Sequence, residues 1–312
     1  MRFQILKLFL VSACVIFECN KLYSQETQTT FPPYTIETTY QKLKKNQPFV
    51  SPIIPLVSKN SHYHEDVIYK KIGERKLKVD VYIPKRKHSR IFPAVLLVHG
   101  GGWLTGSKEN QRVMAQHLAE NGFVAISVEY RLGLEAVYPA GIIDLKDAIK
   151  WMRKHAKKHQ INPDKIAVLG ASAGAQMATL VGVTPKASIY GLNTSISDEV
   201  QAIVNIDGIV SFIHPEASSE GKMASIWLGG SIHENYKNWK EASPLEYVNA
   251  QTPPILFINS AQPRFHAGRD AMITILNKYK IYNEVHTIPD APHSFWLVQP
   301  WFDTTLNYTV DF

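Results

Sequence analysis

A serine flanked by glycines is the residue in this sequence best suited to covalent chemistry. Residues 170–174 read GASAG, with Ser172 at the centre, and they follow the apolar run IAVL at 166–169. A serine between a strand and a helix in this way is typical of a nucleophile elbow, where small neighbours relieve crowding around a strained backbone. The turn places the hydroxyl at a helix N-terminus, which favours developing negative charge. Five residues are a weak signal, so their context decides the interpretation.

A run of glycines supplies a second group with catalytic potential. Residues 99–103 read HGGGW and directly follow the apolar run at 94–98. Successive glycines let the backbone approach a substrate closely and turn its N–H groups inward. Acyl transfer through a serine requires donors for a tetrahedral oxyanion, and we predict that the amides of Gly101, Gly102 and Ala173 provide them. A plain tight turn is the alternative, but the order of the two motifs, each after a strand, favours catalysis.

We predict that His293 is the base that activates the serine. It lies just beyond Ile288, where the last strand-like run ends. None of the other histidines combines this late position with a loop, since His286 lies within that run, and His155 and His159 lie on a lysine-rich helical face. His293 is therefore expected to accept the serine proton as general base.

An alternation of strand-like and helix-like segments must position these groups. Continuous apolar runs, typical of strands that are covered on both faces, occupy 94–98, 123–128, 166–169, 202–206 and 255–259. Helix-like segments occupy 110–119, 140–157 and 268–279. This pattern predicts an α/β fold in which a mostly parallel central sheet has helices on both faces.

Three further regions complete the predicted organisation. Alternating stretches at 67–72 and 77–83 predict an antiparallel hairpin. Residues 211–248 predict a small loop-and-helix insertion after the sixth predicted strand, 202–206. Residues 25–62 are rich in Thr, Pro and Gln and predict an extended N-terminal arm, which leaves 63–312 as the main domain.

Residues 1–24 are predicted to be a signal peptide. Arg2 and Lys7 accompany an apolar run at 8–17 that is too short to span a bilayer. Cleavage after Ser24 would give an exported protein, periplasmic or secreted, without a permanent membrane anchor. The alternative is a lipoprotein whose lipobox-like sequence ends at Cys14.

Composition narrows the chemistry of the mature chain. Both cysteines, Cys14 and Cys19, lie in the predicted leader, so the mature protein would have neither a disulfide nor a cysteine metal site. Loss of the leader removes three basic residues and one acidic residue, which lowers the formal net charge from +7 to +5. A basic exported protein is attracted to acidic polysaccharides or membrane surfaces, whereas scattered lysines argue against nucleic acid as a partner. A merely soluble surface is the alternative explanation.

Together the motifs resemble those of the α/β-hydrolases, in particular the HGGG-type esterases related to hormone-sensitive lipase and to small bacterial carbohydrate esterases. The resemblance covers residues 66–302 and includes 99–103, 138–140 with Asp144, 170–174, 242–244 with 253–254, and His293. It implies an α/β-hydrolase fold, a Ser–His–acid triad, an ester substrate, and no metal or other cofactor.

The triad acid is where this sequence departs from that family. Relatives usually carry the acid in the turn after the seventh strand, where this chain has Gln262 followed by Pro263. A glutamine amide lacks the charge that stabilises an imidazolium. Asp207, which ends the sixth predicted strand, is the first choice, because some lipases of this fold supply the acid there. Asp270, in the helix predicted beyond Gln262, is the alternative acid.

Five residues near the predicted site are candidates for substrate binding: Trp103, Arg264, His266, Arg269 and Trp296. Arginines at the mouth of an esterase pocket bind a carboxylate through paired hydrogen bonds, and aromatic faces suit a sugar ring. Two alternatives stay open. Either arginine could hold its loop by pairing with Asp270 or another acid, and the aromatic residues could form a hydrophobic cover.

The chain thus resembles exported carbohydrate esterases of gut-type bacteria, among them pectin methylesterases and acetylesterases of this fold. The prediction is a serine carboxylesterase that removes methyl esters of galacturonate, or O-acetyl groups, from plant cell-wall polysaccharide such as pectin. The basic residues near the site favour an acidic polysaccharide as the partner. The alternatives are a lipid or general carboxylesterase, a serine peptidase of the same fold, and a non-catalytic binding protein. The sequence makes no prediction of an oligomeric state.

Overall fold

The computed structural model describes residues 31–85, 91–191, 195–217 and 221–312, and residues 33–312 form one compact unit. The strands in these ranges are β1 (Ser51–Pro52), β2 (Ser61–Ile72), β3 (Arg75–Pro84), β4 (Phe92–Val98), β5 (Val124–Val128), β6 (Ile161–Ala171), β7 (Ala202–Ile206), β8 (Ile255–Asn259), β9 (Asn283–Thr287) and β10 (Val298–Gln299). The helices are α1 (Ile36–Leu43), α2 (Arg112–Glu120), α3 (Ala140–Lys154), α4 (Ala173–Val183), α5 (Lys222–Leu228), α6 (Tyr236–Glu241), α7 (Arg269–Lys278) and α8 (Trp301–Asp311).

An eight-stranded sheet organises the unit, with neighbouring strands in the order β2-β3-β5-β4-β6-β7-β8-β9. β2, β3 and β5 pair antiparallel, and every later neighbour in the sheet, from β5 to β9, pairs parallel. The predicted hairpin and the mostly parallel sheet are both confirmed. Because parallel strands point the same way, the residues that follow them meet at one edge, where His99, Ser172, Asp207 and Ser260 succeed β4, β6, β7 and β8.

Both faces of the central strands are buried, which explains their continuous apolar sequences. Leu97, Leu169 and Leu256 lie in one core cluster with side chains of α2 and α8. Side chains of the opposite orientation, such as Leu96 and Val168, are also fully buried, and α3 and α4 contact β6. Burying one leucine contributes about 1.5–3 kcal/mol, so these strands are a main source of stability. The prediction of helices on both faces is confirmed.

The N-terminal segment differs from the extended arm predicted over 25–62. Residues 36–43 form helix α1, so the prediction is wrong there, and residues 25–30 lie outside the described residues. Thr35 and Thr38 form a reciprocal cap, in which each backbone N–H donates to the other hydroxyl, at 2.9 and 3.0 Å. Ile36 and Tyr40 pack against the core cluster. Such a short helix depends on tertiary packing, which local sequence does not reveal.

The predicted insertion after the sixth predicted strand, which is β7, is confirmed as a loop-and-helix segment. It contains α5, α6 and short 3₁₀ turns at Pro215–Ala217 and Pro244–Tyr247. Trp227 of α5 is fully buried and stacks on Trp103 at 5.3 Å between ring centroids. The insertion therefore packs directly against the loop that carries the glycine run.

The predicted leader, 1–24, lies outside the described residues, and so do both cysteines. In the part of the chain that the structure describes, every helix is too short or too polar to cross a bilayer.

Candidate active site

Ser172 occupies a strained turn between β6 and α4. Its backbone has φ 55° and ψ −124°, a conformation that a residue with a side chain rarely adopts. Its N–H donates to Ile206 O at 2.8 Å, which ties the turn to the neighbouring strand β7. A side chain on Gly174 would overlap the carbonyl oxygens of Val98 and His99, so the glycine is required by close backbone approach. These features are those of a nucleophile elbow.

Three of the predicted catalytic residues are joined by short hydrogen bonds. Ser172 Oγ lies 2.8 Å from His293 Nε2, and His293 Nδ1 lies 2.7 Å from Asp207 Oδ2. The carboxylate of Asp207 accepts only, so Nδ1 carries the proton and Nε2 keeps its lone pair for the serine hydroxyl. Asp270, the alternative acid, is 75% exposed and pairs with Arg269 at 2.8 Å. The structure therefore brings Asp207, and not Asp270, to the histidine.

The pKa values of the two ionisable groups suit a proton transfer. Burial raises the pKa of Asp207, but donors from His266 and His293 outweigh that effect and hold it at about 2. Burial lowers the pKa of His293, the bond to Asp207 opposes this, and the nearby charges of Arg264 and Lys42 lower it further. At neutral pH the carboxylate is charged and the imidazole is neutral, the states that a base and its supporting acid require.

The glycine loop presents free donors beside the elbow. Gly101 and Gly102 have positive φ angles of 123° and 58°. Among the described residues, no protein acceptor receives the N–H groups of Gly101, Gly102 or Ala173. Gly101 O accepts from the amides of Leu104 and Thr105 at 3.2 and 3.0 Å, which holds the loop in this turn. The oxyanion hole stays a prediction that this arrangement supports.

His99 supports the loop from below. The ring is buried, its Nδ1–H donates to Gly100 O at 2.8 Å, and it stacks on Tyr130 at 4.4 Å. The Tyr130 hydroxyl in turn donates to His99 O at 2.8 Å. Burial lowers the pKa of His99 to about 4, so the ring is neutral at pH 7. Its role is to support the glycine loop and not to act as a second base.

Trp103 and Trp296 were predicted to contact the substrate, but both side chains are buried. Trp103 is only 4% exposed, and its Nε1–H donates to Gln176 Oε1 at 2.8 Å. Trp296 is 3% exposed and lies edge-on to His293 at 5.2 Å, which matches the alternative of a hydrophobic cover. Both indoles therefore lie in the core, where Trp296 contacts the His293 ring and Trp103 stacks on Trp227.

The three basic residues of the loop after β8, Arg264, His266 and Arg269, have different surroundings. Arg269 donates to Asp270 and to Asn259 Oδ1, both at 2.8 Å, so it holds the loop, as the alternative interpretation states. His266 is also misassigned as a substrate contact, because its Nε2 is buried and lies 3.3 Å from Asp207 Oδ1. Arg264 alone among the three is exposed, with its guanidinium 4.4 Å from the Phe265 ring centroid.

Two residues near His293 were missed by the sequence analysis. Phe265 stacks on the His293 ring at 3.5 Å and 11°. The Tyr34 hydroxyl is 2.9 Å from Ser294 Oγ, across 260 positions of sequence. No local pattern links either residue to the histidine, so sequence offered no signal for them. In the described ranges, no group of three or more His, Cys, Asp or Glu side chains could hold a metal ion. The absence of a cofactor stays a prediction.

Comparison with known families finds a match to BD-FAE over residues 79–268, which is 190 of the 312 residues. Among curated proteins, a probable carboxylic ester hydrolase, LipM of Mycobacterium tuberculosis, is 25% identical over 206 residues, which are 64% of this chain and 46% of that protein. The chain spans about half the length of the curated relatives that it matches.

Solved structures share the fold. A truncated carbohydrate esterase from gut microbiota superimposes with a TM-score of 0.71 at 21% identity, covering 82% of this chain and 98% of that one. The bifunctional GH43-CE protein of Bacteroides eggerthii gives a TM-score of 0.68 at 23% identity, covering 80% of this chain and 37% of that one. These likenesses confirm the predicted α/β-hydrolase architecture.

Proposed function

The chain belongs to the BD-FAE family, and from that premise we propose that it is a serine carboxylesterase that removes methyl or acetyl esters from plant cell-wall polysaccharide such as pectin. One observation carries the proposal, the hydrogen-bonded line from Ser172 through His293 to Asp207. Such a line activates a serine for attack on a carbonyl carbon, which is the chemistry of ester hydrolysis.

The first half-reaction forms an acyl-enzyme. Ser172 Oγ bonds to the ester carbonyl carbon while its proton passes to His293 Nε2, and the carbonyl electron pair moves onto oxygen. The amides of the glycine loop and of Ala173 donate to that oxyanion, and Asp207 stabilises the imidazolium. When the carbonyl re-forms, the bond to the leaving oxygen breaks, and that oxygen takes the proton from His293.

The second half-reaction frees the enzyme. Water bonds to the acyl carbon and gives a proton to His293, which passes it to Ser172 Oγ as the acyl bond breaks. A uronate methyl ester would release methanol first and its carboxylate second. An acetyl ester would release the sugar hydroxyl first and acetate second. The first product released therefore identifies the ester.

An exposed cation beside the histidine favours an acidic polysaccharide. Arg264 lies near enough to lower the pKa of His293, and none of the described carboxylates pairs with it. Phe265 lies between them, in contact with the His293 ring on one side and 4.4 Å from the Arg264 guanidinium. An unpaired arginine in this place suits the carboxylate of a neighbouring uronate unit. A structural relative from gut microbiota is a carbohydrate esterase, which supports a saccharide substrate.

The decisive experiment measures methanol and acetate release separately on partly methylated pectin and on neutral acetylated xylan. We expect release that depends on Ser172, with Arg264→Ala raising KM on pectin about tenfold, as for loss of one charge-assisted hydrogen bond. The same variant should leave KM on xylan unchanged. Lys157→Ala is the matched control, because this exposed lysine precedes β6 and therefore lies at the opposite sheet edge from Ser172.

Three outcomes would contradict this function. Equal activity on pectin and xylan that Arg264→Ala leaves unchanged would overturn the preference for an acidic substrate. Hydrolysis of lipid esters or peptides without release from any polysaccharide would overturn the carbohydrate substrate and favour the lipid esterase or peptidase. A serine that a fluorophosphonate probe does not label would favour the binding protein.

Export is part of the same proposal and depends on the sequence of residues 1–24, which lie outside the described residues. Mass analysis of the N-terminus of the mature protein tests it. A chain that begins at Gln25 supports a secreted or periplasmic enzyme, and a lipid attached to Cys14 would instead make it a lipoprotein.

A further inference from the structure

The buried carboxylate of Asp207 faces two histidines. Its Oδ2 accepts from His293 Nδ1 at 2.7 Å, and its Oδ1 accepts from the Ser260 amide at 2.9 Å. His266 Nε2 lies 3.3 Å from the same Oδ1, in a less well aligned contact. Asp207 is 0% exposed and the His266 side chain 12%, so little solvent competes for these oxygens.

Arg269 determines which nitrogen of His266 carries the proton. Arg269 Nη1 lies 3.4 Å from His266 Nδ1, and a guanidinium can only donate. Nδ1 must therefore accept, which leaves the proton on Nε2, the atom that faces Asp207. Arg269 is itself anchored by Asp270 and Asn259, each at 2.8 Å. When the ring is neutral, these contacts thus place its proton on Nε2.

His266 ends the 3₁₀ turn Pro263–His266, which follows β8, whereas Asp207 directly follows the neighbouring strand β7. We propose that His266, held by Arg269, is a positioning residue that keeps Asp207 charged and turned toward His293. The loop after β8 therefore supports the acid, which itself follows β7.

Charged groups lie on both sides of the His266 ring. Asp207 Oδ1 lies 3.3 Å from Nε2 and Arg269 Nη1 lies 3.4 Å from Nδ1. Arg264 is on the same 3₁₀ turn, Asp270 follows Arg269 on α7, and the turn Pro215–Ala217, with Glu216, packs against that of His266. Burial by itself raises the pKa of Asp207, and the donors on its two oxygens hold it at about 2.

The inference rests on the proposed esterase function, and steady-state kinetics on a small acetyl ester tests it. His266→Phe keeps the ring and removes both nitrogens. We expect kcat to fall about tenfold with KM nearly unchanged, far less than the ~10⁴-fold loss that follows removal of a triad acid. Losing a donor raises the pKa of Asp207 and leaves more negative charge facing His293, whose pKa then rises as well. The acid limb of the pH profile of kcat/KM, where His293 becomes protonated, should therefore move to higher pH.

His266→Gln is the conservative counterpart, since its amide offers one donor to Asp207 and one acceptor to Arg269. It should recover most of kcat and restore the wild-type acid limb. His286→Phe is the matched control, because His286 lies on β9 and contacts Glu284 and Tyr308 instead of the triad. Equal losses in His266→Phe and His266→Gln, or full activity with an unchanged acid limb in both, would overturn the proposal.

A measurement that needs no activity separates this inference from the esterase function. In full-length protein labelled with ¹⁵N-histidine, the ring signals lost in His266→Gln belong to His266. We expect the neutral ring to carry its proton on Nε2, and Arg269→Met to admit the other tautomer. A proton on Nδ1 in the wild type would overturn the proposal. An inactive wild type with the expected tautomer would support the network and overturn the esterase.

Discussion

The two sides of His293 at the sheet edge are built by different means. On the serine side, backbone geometry does the positioning, through the strained φ of Ser172, the close approach at Gly174 and the free amides of the glycine loop. On the acid side, side chains from separate segments converge, and Asp207 is held by His293, His266 and a backbone amide. Backbone-built sites require particular small residues, whereas a side-chain network can change its members. Substitutions on the two sides should therefore fail differently.

The largest effect is expected on the serine side. Ser172→Ala should lower kcat about 10⁵-fold or more and abolish fluorophosphonate labelling, because it removes the nucleophile. The melting temperature should change little, because the methyl group still fits the turn. Residual hydrolysis within tenfold of wild type would show that another group performs the attack.

Replacing each candidate carboxylate with an amide tests the acid side. Asp207→Asn should lower kcat about 10⁴-fold, since an amide neither stabilises the imidazolium nor enforces the Nδ1–H tautomer. Asp270→Asn should lower it less than about threefold, because its exposed ion pair with Arg269 contributes little. The reverse ranking, measured by initial rates on one small ester, would assign the acid to the loop after β8.

A substitution in the glycine loop tests whether its backbone conformation is needed to place the oxyanion donors. Gly101→Ala should lower kcat about 10²-fold or more, because a methyl group there overlaps Thr105 O and displaces an oxyanion donor. Gly73→Ala is the control, since Gly73 has φ 56° in the hairpin turn with open space around it. It should cost about 1 kcal/mol of stability and no activity. If both variants kept full kcat, the loop would not bind the oxyanion.

A smaller effect, on the free energy of unfolding alone, is expected at a residue far from both sides of His293. His159 is buried, and neither of its ring nitrogens has a hydrogen-bond partner among the residues that the structure describes. Burial, aided by the charge of Lys158, lowers its pKa to about 4. The unfolded chain takes up a proton below pH 6.5 that the folded ring refuses, so stability falls as pH drops from 6.5 toward 4. His159→Phe removes this loss, so its free energy of unfolding near pH 4.5 should exceed that of the wild type by about 1–3 kcal/mol.

Chemical unfolding at pH 7.5 and pH 4.5 measures that difference, and kcat at neutral pH is the internal control. A variant whose stability falls with pH as steeply as the wild type would show that His159 is not the group that resists protonation.

The same contrast explains what could be predicted. The turn of Ser172, the glycine loop and the positions of the central strands along the chain follow from local spacing, because a tight turn and a buried parallel strand each demand particular residue types. The helix at 36–43 was missed because its stability comes from packing of Ile36 and Tyr40 on distant residues. Trp103 and Trp296 were misassigned because residue type does not reveal whether a ring points to solvent or to the core.

By itself the sequence determined the α/β architecture and located the predicted nucleophile and the loop of the predicted base, since each depends on patterns of neighbouring residues. Only the tertiary structure decided which aspartate faces His293 and where the basic residues of the loop after β8 point. Asp207, His266 and Arg269 meet through contacts between β7, the turn after β8 and α7. No spacing along the chain encodes such a meeting, because hydrogen bonds of about 3 Å depend on how the strands and loops pack together.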